Sequence, residues 1–128
     1  MKPRYLILTA AVLMLSSVNA LAADRFVYES KKFQDTLAAG GPILVHVTAP
    51  WCGECKQQKP LVAALADEPA YKALTIFDVD YDRQKDALRE LKVQKQSTLV
   101  VFKDKAEVGR AVGITKRDPI EAVVKKAL

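Results

Sequence analysis

The 128 residues include only two cysteines, one histidine, one tryptophan and two methionines, and each scarcity narrows what the chain can be. A tetrahedral structural zinc site takes four protein ligands, so two cysteines and one histidine fall short within a single chain. No apolar run reaches the roughly 20 residues that cross a bilayer as a helix. No basic block is interleaved with aromatics, and lysines are mixed with Asp and Glu throughout. Nucleic-acid binding therefore has no support. A glycine-rich nucleotide loop is missing as well, so nothing points to a bound flavin or nicotinamide. At this length there is room for one domain and little else.

The first stretch stands apart from that domain. Met1-Lys2-Pro3-Arg4 is basic, Tyr5 to Leu15 is apolar, and Ala20-Leu21-Ala22 places small residues before Ala23. This is the three-part pattern of a secretory signal peptide. The expected division is a signal peptide at 1–22 and a domain at 23–128, exported to the periplasm and soluble after cleavage. The apolar run is too short for an uncleaved anchor, and no cysteine near the cleavage site offers a lipid attachment point. Loss of Lys2 and Arg4 lowers the net charge from +5 to +3, and both methionines leave with the leader.

Both cysteines remain, as Cys52-Gly53-Glu54-Cys55. Exported proteins use disulfides to staple distant segments together, but a bridge across two residues closes too small a loop to constrain the unfolded chain. The pair calls for a chemical explanation. Its surroundings supply one. Ile43 to Thr48 is an apolar, β-branched run suited to a strand covered on both faces. Ala49-Pro50-Trp51 turns, and a helix is expected from about Cys52 to Ala66, with Pro60 kinking it. A helix N-terminus offers free N–H groups and partial positive charge, both of which stabilise a thiolate. Cys52 is then the exposed, activated sulfur, and Cys55, one turn further in, resolves the mixed disulfide.

The remaining pattern gives strands at 26–28, 74–80, 98–102 and 107–112, and helices at 31–39, 84–91 and 118–128. The order βαβα, βα, ββα predicts an α/β fold, a mixed sheet with helices on both faces.

From about Phe26 to Leu128 the chain resembles the thioredoxin family. Trp51-Cys52-Gly53-Glu54-Cys55-Lys56 matches its active-site pattern, Pro60 its helix proline, Thr98-Leu99 the strand beside the site, and Val112-Gly113 the pair near the substrate groove. The resemblance implies dithiol–disulfide exchange through Cys52 and Cys55 and no other cofactor. It also implies a peptide groove at Gln96, Ser97, Thr98 and Gly113. Trp51 is expected to pack over the site rather than bind a cofactor, and Lys56 to oppose the charge of Glu54.

Three positions depart from the family. Its cis-proline is Ser97, its buried aspartate is His46, and the lysine paired with that aspartate falls near Ile76. A cis bond before a non-proline residue costs about 2.5–4 kcal/mol, against about 0.5–1 before proline. The peptide before Ser97 is therefore expected to be trans, with a reshaped groove. His46 either accepts the Cys55 proton through water or is a core histidine satisfied by a backbone carbonyl.

The leading expectation is an exported thiol–disulfide oxidoreductase. Glu54 disfavours the Cys52 thiolate, which points to a reductant or a mildly oxidising isomerase rather than a strong oxidant, with a reductase the leading expectation. Its substrates would be disulfides of exported proteins, its electrons would come from a membrane thiol donor, and it would act as a monomer. The alternative is a metal-binding or metal-delivery module. Without the proline ring that shields the sulfurs in the family, two chains sharing their CxxC pairs would bridge a metal or an iron–sulfur cluster.

Overall fold

The computed structural model describes residues 22–128, so the expected signal peptide lies outside the described residues apart from Ala22. Among the described residues, no helix is long and apolar enough to cross a membrane.

Five strands, β1 (Asp24–Val27), β2 (Ile43–Thr48), β3 (Thr75–Asp80), β4 (Thr98–Lys103) and β5 (Ala106–Val112), form one sheet in the order β1-β3-β2-β4-β5. The first three run parallel, and β4 and β5 are antiparallel to their neighbours. Helices α1 (Ser30–Ala39), α2 (Gly53–Ala66), α3 (Lys85–Leu91) and α4 (Arg117–Lys125) supply the crossovers and cover. The mixed sheet with helices on both faces is thus as the sequence implies.

Side-chain alternation along the strands builds a core on each face. Ile43, Val45 and Val47 of β2 point to one side, where Phe77, Val100, Phe33 of α1 and Leu88 of α3 pack around them. Leu44, Ile76, Leu99 and Val101 point to the other, under Val62 and Leu65 of α2 and Ile120 and Val124 of α4. Phe33 meets Phe77 and Phe102 edge-on, at 5.6 and 5.3 Å between ring centres. Such pairs each add about 0.5–1.5 kcal/mol beyond the area they bury. β2 and β4 are the central buried strands, which explains their nearly unbroken apolar sequence.

Three details differ from expectation. The first strand spans 24–27, and Tyr28 leaves it to bury its ring and donate its hydroxyl to Glu90, at 2.7 Å. A short 3₁₀ helix at Pro69–Tyr71 precedes β3 and buries Tyr71. The last helix ends at Lys125 rather than Leu128.

Candidate active site

The C-terminal end of β2 leads through Ala49-Pro50-Trp51 into α2, and parallel crossovers place binding sites at such ends. Cys52 is the N-cap residue of α2, with extended backbone (φ −86°, ψ 116°). Its Sγ accepts a hydrogen bond from the Cys55 backbone N–H, at 3.1 Å. A sulfur in that place meets the free donors and the positive end of the helix. Cys52 and Cys55 are joined as a disulfide, with Cα atoms 5.3 Å apart.

The expected exposure of Cys52 needs correction. The residue is only 2% exposed and Cys55 is fully buried, because both pack with Ala49 and against Tyr81. The N-cap position, rather than accessibility in the oxidised state, distinguishes the two sulfurs.

Around them, Glu54 brings its Oε2 to 3.7 Å from Cys52 Sγ. Lys56 is exposed on α2 and forms no side-chain bond to the pair. Trp51 is 58% exposed. Its ring stands edge-on to Tyr81, 6.2 Å between centres, and its Nε1 donates to Asp82 at 2.9 Å. Tyr81 and Asp82 had no part in the sequence reading, since an Asp-Tyr-Asp run after a strand looks like an ordinary solvated turn.

His46 is fully buried on the α2-facing side of β2. Its partner is neither a backbone carbonyl nor a carboxylate. Nε2 lies 2.9 Å from Oε1 of Gln58. Among the described residues, its Nδ1 is the buried side-chain polar atom left without a partner. Asp78 pairs with His46 across the ladder but is held by Arg25, at 2.6 and 2.8 Å. The position expected to carry a lysine is Ile76, a core residue.

Burial holds the imidazole of His46 below its ordinary range, against the opposing effects of the Gln58 hydrogen bond and the Asp78 charge. Arg25 and Lys59 add to the lowering. The folded state therefore keeps His46 neutral at a pH where the unfolded chain takes up a proton. Stability falls as pH drops below the unfolded value of about 6.5. The loss approaches about 1.4 kcal/mol per pH unit until the folded group itself titrates. Urea midpoints between pH 7 and 5 should decline in the wild type and stay nearly level in His46→Leu. Glu90 and Glu121, held low by their hydrogen bonds, act only at more acidic pH.

Ser97 sits just ahead of β4, whose first residue, Thr98, pairs with Val47 on one side and Val112 on the other. The turn is thus at the same end of the sheet as the cysteines. The described residues contain no cis peptide bond, so Gln96–Ser97 is trans, and Ser97 takes the left-handed conformation at φ 55°. Its carbonyl accepts the Gly113 N–H at 3.0 Å, and Gly113 is itself left-handed, at φ 73°. Thr98 donates its hydroxyl to the Lys95 carbonyl at 2.6 Å, and Gln96 is half-buried. Gln58, which the sequence reading passed over, donates to the carbonyls of Ser97 and Ile114, at 3.1 and 2.9 Å.

Among the described residues of one chain no three of His, Cys, Asp and Glu lie together, and the Nε2 of His46 is taken up by Gln58, so a metal on Cys52 and Cys55 would need the cysteines of a second chain.

Two sulfurs within bonding reach at a helix N-terminus can take up and return one electron pair, and that defines a thiol–disulfide oxidoreductase. The family profile described as Thioredoxin matches residues 25–126. A thioredoxin of Chlamydia trachomatis is 35% identical over 100 residues, covering 78% of this chain and 95% of its own. An H-type thioredoxin of Fagopyrum esculentum is 34% identical over 110 residues, covering 86% and 93%. Among solved structures, Trxlp from Edwardsiella tarda superposes with a TM-score of 0.76 at 35% identity, covering 79% of this chain and 98% of its own. The chain belongs to the thioredoxin family.

Proposed function

We propose that the protein is an exported reductase that opens disulfides in other exported proteins. Reduced Cys52, its thiolate stabilised by the Cys55 N–H and the α2 N-terminus, attacks one sulfur of the substrate disulfide. A Cys52–substrate bond forms, and the other substrate sulfur leaves as a thiolate that takes a proton from water. Cys55 then gives its proton, through water, to Nδ1 of His46 and attacks Cys52 Sγ. The second substrate thiol departs with that proton. The substrate has gained two electrons and two protons, and the chain holds the Cys52–Cys55 disulfide.

Renewal of the dithiol needs an electron donor, and a membrane thiol transporter suits an exported protein. The basic, apolar and small-residue pattern of residues 1–22 supports export.

The observation that carries the reducing direction is the Glu54 carboxylate, 3.7 Å from Cys52 Sγ. A negative charge there disfavours the Cys52 thiolate and so destabilises the reduced form relative to the disulfide, which lowers the potential. A strong oxidant, by contrast, has its thiolate held by surrounding positive charge. The potential should lie nearer to the value of about −270 mV for thioredoxin than to about −120 mV for the periplasmic oxidant. Glu54→Lys should raise it by on the order of 40 mV, since going from −1 to +1 changes two unit charges, each worth roughly 1 kcal/mol at this range. Equilibration with glutathione measures both. A wild-type value on the oxidant's side would reverse the proposed direction.

A further inference from the structure

Gln58 lies three residues beyond Cys55, on the same buried face of α2. A carboxamide has two N–H donors at one end and an acceptor at the other. Its Nε2 donates to two carbonyls, Ser97 at 3.1 Å and Ile114 at 2.9 Å. Carbonyls only accept, so the amide orientation is fixed and Oε1 must face His46, 2.9 Å from Nε2. That oxygen also only accepts. His46 must therefore carry its proton on Nε2, leaving Nδ1 as a bare lone pair.

The arrangement is costly as mere packing. Nδ1 has no protein partner among the described residues, and burying such an acceptor costs about 1–3 kcal/mol unless a water meets it, whereas two apolar side chains of similar shape would cost little. Rules broken at buried positions tend to mark function. Here the bonds join the cysteine helix to the two turns at the same end of the sheet, since Ser97 also takes the Gly113 N–H.

We propose that Gln58 is a positioning residue, holding the Ser97 and Gly113–Ile114 turns in register with the cysteine helix and fixing His46 as its Nε2–H tautomer. The turns then meet a protein substrate in one preset geometry, and the free lone pair of His46 is held available. The inference rests on the reductase reading for its kinetic consequence, but the tautomer follows from the hydrogen bonds alone.

Two measurements test it. His46 is the only histidine, so nitrogen NMR of labelled protein at about pH 7.5, where an unperturbed ring is largely neutral, reports one ring. The wild type should show the proton on Nε2, and Gln58→Met, close in shape but without the amide, should show both tautomers. The second measurement is kinetic. The ratio of kcat/KM for a protein disulfide such as insulin to that for a small aromatic disulfide should fall about tenfold in Gln58→Met, chiefly through KM. Gln58→Glu should lower the ratio likewise, because a carboxylate cannot donate to the two carbonyls. A wild type protonated on Nδ1 would overturn the proposal, and it needs no variant to fold. A folded Gln58→Met with an unchanged ratio would overturn the positioning role. A wild type inactive on both disulfides would overturn the reductase reading instead, with the tautomer still deciding where Gln58 holds the ring.

Discussion

Cys55→Ser should accumulate as a mixed disulfide with its substrate through Cys52, and Cys52→Ser should exchange nothing. The first variant keeps the N-cap sulfur, with its Cys55-position N–H donor and helix N-terminus, and so still attacks. It has lost the sulfur whose attack on Cys52 releases the substrate. The second keeps only Cys55, a turn inside α2, without the N-cap position and the N–H donor that activate Cys52. Turnover should fall by on the order of a thousandfold or more in each, as when a nucleophile is removed. Mass spectrometry of the trapped adduct separates the two roles. An adduct on Cys55 in Cys52→Ser would exchange the assignments and show that burial in the oxidised form does not persist after reduction.

Ser97→Pro, which restores the residue usual in the family, should destabilise the protein by about 2–3 kcal/mol, among the larger effects of a single substitution. Ser97 stands at φ 55°, roughly 120° from the −65° that proline's ring imposes. Moving the backbone to suit the ring would swing a carbonyl that now accepts both the Gly113 N–H and the Gln58 amide. Ser97→Gly, free to adopt positive φ, should remain within about 1 kcal/mol of the wild type, its relief of strain offset by a more flexible unfolded chain. Urea denaturation of the three proteins decides the point. A stabilised Ser97→Pro would mean that the turn can take the family's geometry.

These two expectations mark how far the sequence could be read. Strand–turn–helix placement of the CxxC pair was readable because a continuous β-branched run, a proline turn and a helical stripe each leave a local pattern. The trans bond before Ser97 followed from the cost of the alternative. Its positive φ did not, because nothing local in Gln96-Ser97-Thr98 demands it. The conformation accompanies the bonds its carbonyl makes to Gly113 and Gln58, far away in sequence.

Gln58 was hidden for a related reason. Lys56-Gln57-Gln58-Lys59 has the composition of a solvated helix surface. The usable signal was periodicity: Cys55, Gln58, Val62 and Leu65 recur at spacings of three and four, and all are buried. A polar residue inside such a stripe needs a partner, and the lone histidine of β2, itself buried just before the cysteine turn, is the residue it meets. Cys52 shows the converse limit. Its place at the helix start was predictable, but its cover by Ala49 and Tyr81 depends on packing between distant segments.

The central claim is that Cys52 and Cys55 together deliver one electron pair to a substrate disulfide. A single-turnover experiment tests it directly: fully reduced protein is mixed with an excess of a protein disulfide, released substrate thiols are counted, and the product chain is mapped. The account predicts two substrate thiols per chain and a Cys52–Cys55 disulfide in the product. A reduced chain that releases no thiol, or wild-type protein that stops as a stable mixed disulfide, would contradict it.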